Sequence, residues 1–154
     1  MLRHGGKMSQ YRNEIRQIMI AINVIEGVCD MIAKKIGMKE NTLTLLYALD
    51  DGKTHSQKEI CNEWLIPKTT LNTIVKECVE AGYIVLNADK DKKEKKICLT
   101  EKGQEYVKKS LAKVYEVEER AMERACKAPL EPARMLAQFA LNYKEEARCF
   151  FDES

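Results

Sequence analysis

Apolar residues recur at alternating spacings of four and three along the first quarter of the chain. They are Tyr11, Ile15, Ile18, Ile22, Ile25, Cys29, Ile32 and Ile36. A 3.5-residue repeat over four heptads is typical of a helix that packs along a partner helix. The pattern predicts one helix over 9–36, which Gly37 ends, and it leaves 1–8 as a flexible start.

The next segment predicts two shorter helices that are separated by a break. Asn41 can cap the first helix, and Asp50-Asp-Gly52 forms the break after it. The apolar face of that helix comprises Leu43, Leu46, Tyr47 and Leu49. Ser56-Gln-Lys-Glu59 matches a capping box and predicts the start of the second helix. The apolar side of the second helix comprises Ile60, Trp64 and Leu65.

A longer helix is predicted directly after this short one. Pro67 opens it and Gly82 ends it, which are the positions that these residue types favour. Its apolar stripe comprises Leu71, Ile74, Val75, Cys78 and Val79. A short helix, a tight connection and a longer helix together indicate a helix-turn-helix motif.

Two segments of β character, 83–86 and 97–100, flank a highly charged stretch. The ten residues Asn87–Lys96 include five lysines and are too polar to pack. The pattern therefore predicts an antiparallel hairpin, or wing, whose tip stands in solvent.

Two further helices are predicted after the hairpin. Thr100 can cap one that runs to about Lys127, and Pro129 and Pro132 mark a break before the last. The residues expected to face inward are Tyr106, Leu111, Val114 and Ala121 in the first helix, then Leu136, Phe139, Tyr143, Ala147 and Phe150 in the second. The fold class is thus mainly α with a small β-wing.

Composition narrows the class of protein. The chain has 154 residues, of which 45% are hydrophobic, so it can bury a core. The longest apolar stretch, Ile18–Ile22, is far shorter than the ~20 residues that span a bilayer. No signal peptide is visible, so we expect a cytoplasmic protein without a membrane partner. The net charge of +2 lies within 53–102, a weak basic bias that is compatible with nucleic acid.

The cysteines and histidines form no pattern that is typical of a metal site or a catalytic pair. The six cysteines form no C-x-x-C pair, and His4 and His55 are the only histidines, so no metal site or cofactor is expected. The same scarcity disfavours a Ser/His or Cys/His enzyme, and there is no glycine-rich phosphate loop. We expect reduced thiols that are mostly small buried hydrophobes, and Cys29 is the candidate for an oxidant-sensing thiol.

The order of these elements resembles the MarR family of winged helix-turn-helix transcriptional regulators. The residues that carry the resemblance are Ile66-Pro-Lys-Thr-Thr-Leu-Asn-Thr-Ile-Val75, Glu80-Ala-Gly-Tyr-Ile84 and Leu99-Thr-Glu-Lys-Gly103. It covers roughly residues 9–151. It implies a homodimer on double-stranded DNA, with control by small aromatic acids, oxidants or metals among other signals.

The candidate DNA-binding residues lie on the predicted recognition helix and the wing. They are Lys68, Thr69, Thr70, Asn72, Thr73 and Lys76 on the helix, and Lys92, Lys93 and Lys95 on the wing. Threonine and asparagine can read base edges, whereas lysine contacts phosphate as a point charge. The family typically has an Asp-Arg pair near the wing tip and an arginine near Thr73, and this chain has neither arginine.

The broad apolar stripes at both ends of the chain predict dimerisation. We assign 37–100 to a winged helix-turn-helix DNA-binding domain, and 9–36 with 101–154 to a helical dimerisation region. The candidate interface residues are Tyr11, Ile15, Ile18, Ile22, Leu136, Phe139, Tyr143 and Phe150. The function expected is a sequence-specific transcriptional regulator, a repressor on a pseudo-palindromic operator, with a small-molecule effector as an open question. The alternative is a winged-helix module that binds proteins and not specific DNA.

Overall fold

A computed structural model describes residues 5–88 and 95–125, together with Leu136. The elements are α1 (Gly5–Ile36), α2 (Glu40–Leu49), β1 (His55–Ser56), α3 (Gln57–Trp64), α4 (Lys68–Glu80), β2 (Ile84–Ala88), β3 (Lys95–Leu99) and α5 (Glu101–Ala125). These helices and the small antiparallel sheet confirm the expected mainly α, winged-helix fold class. The chain divides into two compact units, residues 1–112 and 113–154.

α1 begins at Gly5, four residues before the predicted start at Ser9, and ends where the sequence predicted. Gly37 has a φ of +71°, which favours glycine. The Met38 N–H donates to the Ala33 carbonyl and the Gly37 N–H to the Lys34 carbonyl. These two bonds form a Schellman motif, which satisfies carbonyls that the helix end leaves free.

The prediction that Asn41 caps the second helix is wrong. α2 begins at Glu40, so Asn41 lies inside its first turn, and the N-cap position falls on Lys39, whose side chain makes no capping bond. The helix instead owes its position to burial, because Leu45 and Leu46 are fully buried. Tertiary packing here replaces the local cap that the sequence suggested.

The capping box of α3 is confirmed. The Ser56 hydroxyl accepts from the Glu59 N–H at 3.2 Å, and the Glu59 carboxylate accepts from the Ser56 N–H at 2.6 Å. Of the predicted apolar side, Ile60 is buried, whereas Trp64 is 38% exposed and Leu65 is 83% exposed. Leu65 follows α3 with a φ of +52°, and this left-handed residue turns the chain away before its side chain can reach the core.

α4 packs its predicted stripe against the core, except at one end. Leu71, Ile74, Val75 and Cys78 are buried, whereas Val79 is 38% exposed. The helix ends in a second Schellman motif, in which the Tyr83 N–H donates to the Cys78 carbonyl and the Gly82 N–H to the Val79 carbonyl.

The sheet contains a strand that the sequence pattern did not reveal. β2 and β3 pair antiparallel, with Ile84 opposite Leu99, which confirms the predicted hairpin. β1 adds to the free edge of β3 with His55 opposite Ile97, in the order β1-β3-β2. A two-residue strand has no readable periodicity, and only its pairing with β3 defines it.

The core lies between α2, α3, α4 and the sheet. Its buried members are Leu45, Ala48, Leu49, Ile60, Ile66, Leu71, Ile74, Val75, Cys78, Ile84 and Ile97. These three helices and both hairpin strands contribute to one cluster, so α4 is held rigidly relative to the wing strands.

The start of α5 is locked to the end of α4. The Thr100 hydroxyl accepts from the Gly103 N–H at 2.9 Å, as the predicted cap requires, and donates to the Gly82 carbonyl at 2.6 Å. A Cβ on Gly103 would lie 2.0 Å from the Tyr83 carbonyl oxygen, so only glycine fits there. The Leu99-Thr-Glu-Lys-Gly103 motif therefore serves helix packing.

The unit from residue 113 onward is described as far as Ala125 and at Leu136. Ala121, which was predicted to face inward, is exposed, so that prediction is wrong. Arg120 forms an ion pair with Glu116 one turn away. The predicted last helix lies outside the described residues apart from Leu136, which is helical and 38% exposed.

Candidate nucleic-acid interface

The polar face of α4 lies in solvent, on the side opposite the core. Its exposed residues are Lys68, Thr69, Asn72, Thr73 and Lys76, and Thr70 is half-buried at the margin. The helix therefore presents hydroxyl, amide and ammonium groups on a single face, at the spacing that the sequence predicted. An exposed helix of this kind can enter the major groove of duplex DNA.

Two of these side chains already have partners within α4. The Thr73 hydroxyl donates to the Thr69 carbonyl at 3.1 Å, so its oxygen remains available only as an acceptor. Lys76 lies 3.9 Å from Glu80 in an exposed pair one helical turn apart. Asn72 has no hydrogen bond to another described residue, which leaves its amide able both to donate and to accept.

The wing is described at its two strands and not at its tip. Lys92 and Lys93 lie outside the described residues, whereas Lys95 is an exposed residue of β3. Lys96 belongs to the same strand, and its ammonium lies 3.2 Å from a Glu59 carboxylate oxygen. The Lys96 side chain therefore links the second wing strand to α3 through an ion pair.

Glu59 connects the helix-turn-helix motif to the wing, a role that the capping-box pattern did not reveal. Its carboxylate accepts from the Ser56 N–H and from the Lys96 ammonium. These two donors, the backbone one first, lower the pKa of Glu59 to about 2. The carboxylate stays charged near neutral pH and ties the start of α3 to β3.

Further electrostatic contacts brace the same region. Lys39 forms a bidentate contact with Glu77 of α4, at 2.9 and 3.0 Å. A hydrogen bond from His55 lowers the pKa of Asp51, with a smaller contribution from the Lys53 N–H. Burial raises the pKa of the Cys78 thiol, so this cysteine acts as a small hydrophobe.

The sequence of the motif region matches a known family. The sequence model described as the MarR family matches residues 36–94, which run from the end of α1 to the wing. The match places the similarity to MarR-family transcriptional regulators in the helix-turn-helix motif and the wing. No curated protein matches the chain.

Solved structures of MarR-family regulators share the fold. A MarR family regulator from Neisseria meningitidis superposes with a TM-score of 0.73 and is 20% identical, over 92% of this chain and 99% of that one. A putative MarR family regulator from Listeria monocytogenes, complexed with a 26mer DNA, has a TM-score of 0.62 and 20% identity over 86% and 87% of the two chains. A MarR/EmrR family regulator from Acinetobacter has a TM-score of 0.64 and 22% identity over 88% and 96%.

The MarR-family segment is preceded by a helix with a large exposed apolar surface. The exposed side chains of α1 are Ile15, Met19, Ile20, Val24, Ile25, Val28 and Met31. Of the other predicted interface residues, Ile18 and Ile22 are half-buried, whereas Tyr11, Phe139, Tyr143 and Phe150 have side chains outside the described set. Cys29 is exposed, so the expectation of burial is wrong for this cysteine.

The part of the chain that the structure describes contains no group of three or more His, Cys, Asp or Glu side chains placed to hold a metal ion. Neither does any helix within it have the length and apolar character that crossing a membrane requires.

Proposed function

We propose that this MarR-family protein is a sequence-specific regulator that binds double-stranded DNA. The observation that carries the proposal is the exposed polar face of α4, whose opposite face is buried in the core. A helix that is held rigidly on one side and polar on the other can present base-reading groups at fixed positions. The fold shared with a Listeria protein that is complexed with DNA supports the same reading.

Within this proposal, Asn72 is the strongest candidate for reading a base. Its amide is exposed and not committed to a neighbouring side chain, so it can make a bidentate contact with adenine. Thr69 and Thr70 add methyl groups and hydroxyls that suit thymine and base edges. Lys68 and Lys76 supply charge for the flanking phosphates.

The wing lysines supply affinity rather than sequence choice. Lys92, Lys93 and Lys95 lack the planar fork with which arginine reads bases, and they act as point charges on phosphate. Their contribution is expected to be similar on specific and random DNA, and to weaken as salt is added.

The same proposal includes a homodimer on a pseudo-palindromic operator. Among the exposed apolar side chains of α1, Ile15 and Ile25 belong to the heptad pattern of a helix with a partner, and a second copy of the chain provides an identical surface. A two-fold dimer presents two α4 helices, so its half-sites would lie about one helical turn apart.

The proposal also includes regulation of transcription by occupation of a promoter. A dimer that occupies a promoter acts as a repressor, and a small-molecule effector that changes the spacing of the two α4 helices would release it. This part rests on the similarity of residues 36–94 to the MarR family.

The experiment is selection of bound sequences from random duplex DNA, followed by titration of the selected site. We expect a pseudo-palindrome, two chains per duplex by native mass spectrometry, and at least about 1,000-fold preference over random DNA. A selection that yields no motif, with equal affinity for every duplex, would rule out sequence-specific regulation.

The protein-binding module remains a second candidate because of the turn between α3 and α4. Leu65 is 83% exposed there and Trp64 is 38% exposed, a pair of apolar side chains that a protein partner could cover. Titration with bulk duplex DNA across a salt series separates the candidates. Only a DNA-binding protein shows affinity that falls steeply as salt rises.

A further inference from the structure

A cleft of about 550 Å³ lies between the helix-turn-helix motif and the wing. It is lined by Ser56, Gln57, Lys58, Cys61, Asn62, Lys68 and Lys95. The lining residues come from the end of β1, from α3, from the first residue of α4 and from the first residue of β3. Three of the seven are lysines and none is a carboxylate, so every charged side chain of the lining is positive.

The three lysines of the cleft are unpaired within the described residues, unlike several of their neighbours. Lys58, Lys68 and Lys95 make no ion pair there, whereas Lys96 pairs with Glu59 and Lys76 with Glu80. Like charges that converge without a carboxylate repel one another. An anion in the cleft would remove that repulsion.

Backbone donors add to the positive character of the cleft. Gln57 and Lys58 are the first two residues of α3, where N–H groups have no acceptor within the helix. The capping box satisfies the N–H groups of Ser56 and Glu59 and leaves those two uncapped. The Glu59 carboxylate is itself occupied by Ser56 and Lys96, so it is not a competing anion for the lysines.

We propose that this cleft seats a phosphate of the DNA backbone, with Lys58 as a DNA contact on α3. The inference rests on the proposed function and deepens it, since it names a phosphate-binding site on an element outside the predicted interface. Lys68 opens α4, which the proposal places in the major groove, and Lys95 opens the second wing strand. With α4 in the major groove, a sugar-phosphate strand that borders this groove would run between α4 and the wing.

The chemistry of the lining favours a phosphodiester over other groups. Ammonium groups and backbone N–H groups are the usual partners of phosphate oxygens. The lining residues contribute no aromatic ring on which an exposed base could stack. The cleft therefore fits a backbone phosphate and contributes affinity that is independent of sequence.

The test measures the salt dependence of DNA binding by the full chain and by Lys58→Ala. Each phosphate contact contributes about 0.9 to the slope of log affinity against log salt. We expect the variant to lower the slope by about 0.9 for one cleft, or about 1.8 for a dimer with both clefts engaged. Between 50 and 200 mM salt, this corresponds to about 3.5-fold less loss of affinity per cleft. The reduction should be equal on the selected operator and on random DNA.

Two control variants isolate the cleft. Lys58→Arg retains the charge and should retain the slope. Lys108→Ala removes an exposed lysine of α5 outside the cleft and should leave the slope at the parent value. A Lys58→Ala variant that binds DNA with the parent slope would overturn the phosphate seat and leave the proposed function intact. A parent protein that binds no duplex DNA would overturn both.

The thiol of Cys61 provides a second readout, because it lies in the same cleft and is half-buried. Alkylation of Cys61, followed by peptide mass spectrometry, should slow at least about threefold when DNA is bound. Cys29 on α1 serves as the internal reference. Alkylation of Cys61 at the same rate with and without DNA would contradict the proposal.

Inorganic phosphate distinguishes a DNA seat from a site for a small anion. We expect millimolar inorganic phosphate to shift the melting temperatures of the parent and of Lys58→Ala by the same amount at equal ionic strength. Stabilisation of the parent alone, combined with an unchanged DNA slope in the variant, would assign the cleft to a free anion and overturn the proposal.

Discussion

Leu65 occupies a backbone conformation that opposes its residue type. Its φ of +52° lies in the left-handed region, and its side chain is 83% exposed. The left-handed conformation costs a non-glycine residue roughly 1–2 kcal/mol, and an exposed leucine recovers none of that through burial. The turn between α3 and α4 is therefore locally strained, and the surrounding core holds it in place.

Replacing Leu65 with glycine should stabilise the protein. Relief of the left-handed strain exceeds the extra backbone entropy of glycine, roughly 0.5–1 kcal/mol, by an expected margin of about 0.5–1 kcal/mol. Urea unfolding measures the difference. Leu65→Ala is the control, since it removes the apolar side chain but keeps the strain, and its stability should stay close to that of the parent. If Leu65→Gly is less stable than the parent, the leucine side chain stabilises the fold by more than the left-handed strain costs.

Gly103 illustrates the opposite case, a residue that cannot accept a side chain. A Cβ there would meet the Tyr83 carbonyl oxygen at 2.0 Å, and the clash is with backbone that cannot rotate away. Gly103→Ala should destabilise the protein by about 1–3 kcal/mol or more, because α5 must move away from the turn after α4.

Gly27→Ala is the matched control, because nothing lies within 4 Å of a Cβ at that helical position. This variant should gain about 0.5–1 kcal/mol from helix propensity. Thermal unfolding of both variants measures the contrast, and equal effects would contradict the close packing at Gly103.

At the scale of elements, Glu59 makes the stability of the motif depend on pH. Its pKa in the folded chain is about 2, below the ordinary value of 4.5. The stabilisation is therefore complete above pH 4.5 and is lost as pH falls from 4.5 towards 2. The side chain is half exposed, so solvent screening keeps the contribution modest.

Glu59→Gln should flatten this pH dependence. The difference in urea midpoint between parent and variant should grow from pH 2 to 4.5 and stay constant above it. Glu63→Gln, on the same helix, removes a carboxylate that has no ion pair within the described residues, and it should show no such rise. If the difference between parent and variant does not change with pH, the charge of Glu59 does not stabilise the fold.

The recognition face of α4 gives a prediction about base preference. Asn72→Ala should lower discrimination between the operator and single-base variants by about 1–3 kcal/mol at the contacted base. Competition titrations against those variants measure it. Thr73→Ala should change discrimination less, because its hydroxyl already donates within the helix. If Asn72→Ala weakens binding to the operator and to random DNA equally, the amide contacts only the DNA backbone.

At the scale of the whole molecule, a single copy of the chain leaves the apolar side chains of α1 exposed. Val24 is 60% exposed and Ile25 is 56% exposed, although both are strongly apolar. Burial of two such side chains contributes roughly 1.5–3 kcal/mol each, enough to decide whether two chains associate.

Substitution of both Val24 and Ile25 by lysine should raise the dimer dissociation constant by at least about 100-fold while the monomer stays folded. Light scattering across a concentration series measures it, and circular dichroism checks the fold. Asn23→Lys adds one lysine at a neighbouring exposed polar position of the helix and should leave the dimer intact. A parent that is monomeric at micromolar concentration would contradict the homodimer.

Local signals in the sequence predicted a large part of this protein correctly. The Ser56 capping box, the glycines at 37 and 82 and the Thr100 cap all depend on residues within a few positions of each other. The buried stripe of α4 and its exposed polar face follow from helical periodicity alone. For these features the sequence by itself was sufficient, because the interactions that stabilise them are local.

Other features depended on residues far apart along the chain. β1 is defined by its pairing with β3, and Glu59 forms an ion pair with Lys96 of the wing. Asn41 does not cap α2, because core packing places the start of that helix one residue earlier. The cationic cleft likewise needs three separate elements to bring Lys58 near Lys68 and Lys95. Only the tertiary structure decided these features, because no local pattern records which distant side chains become neighbours.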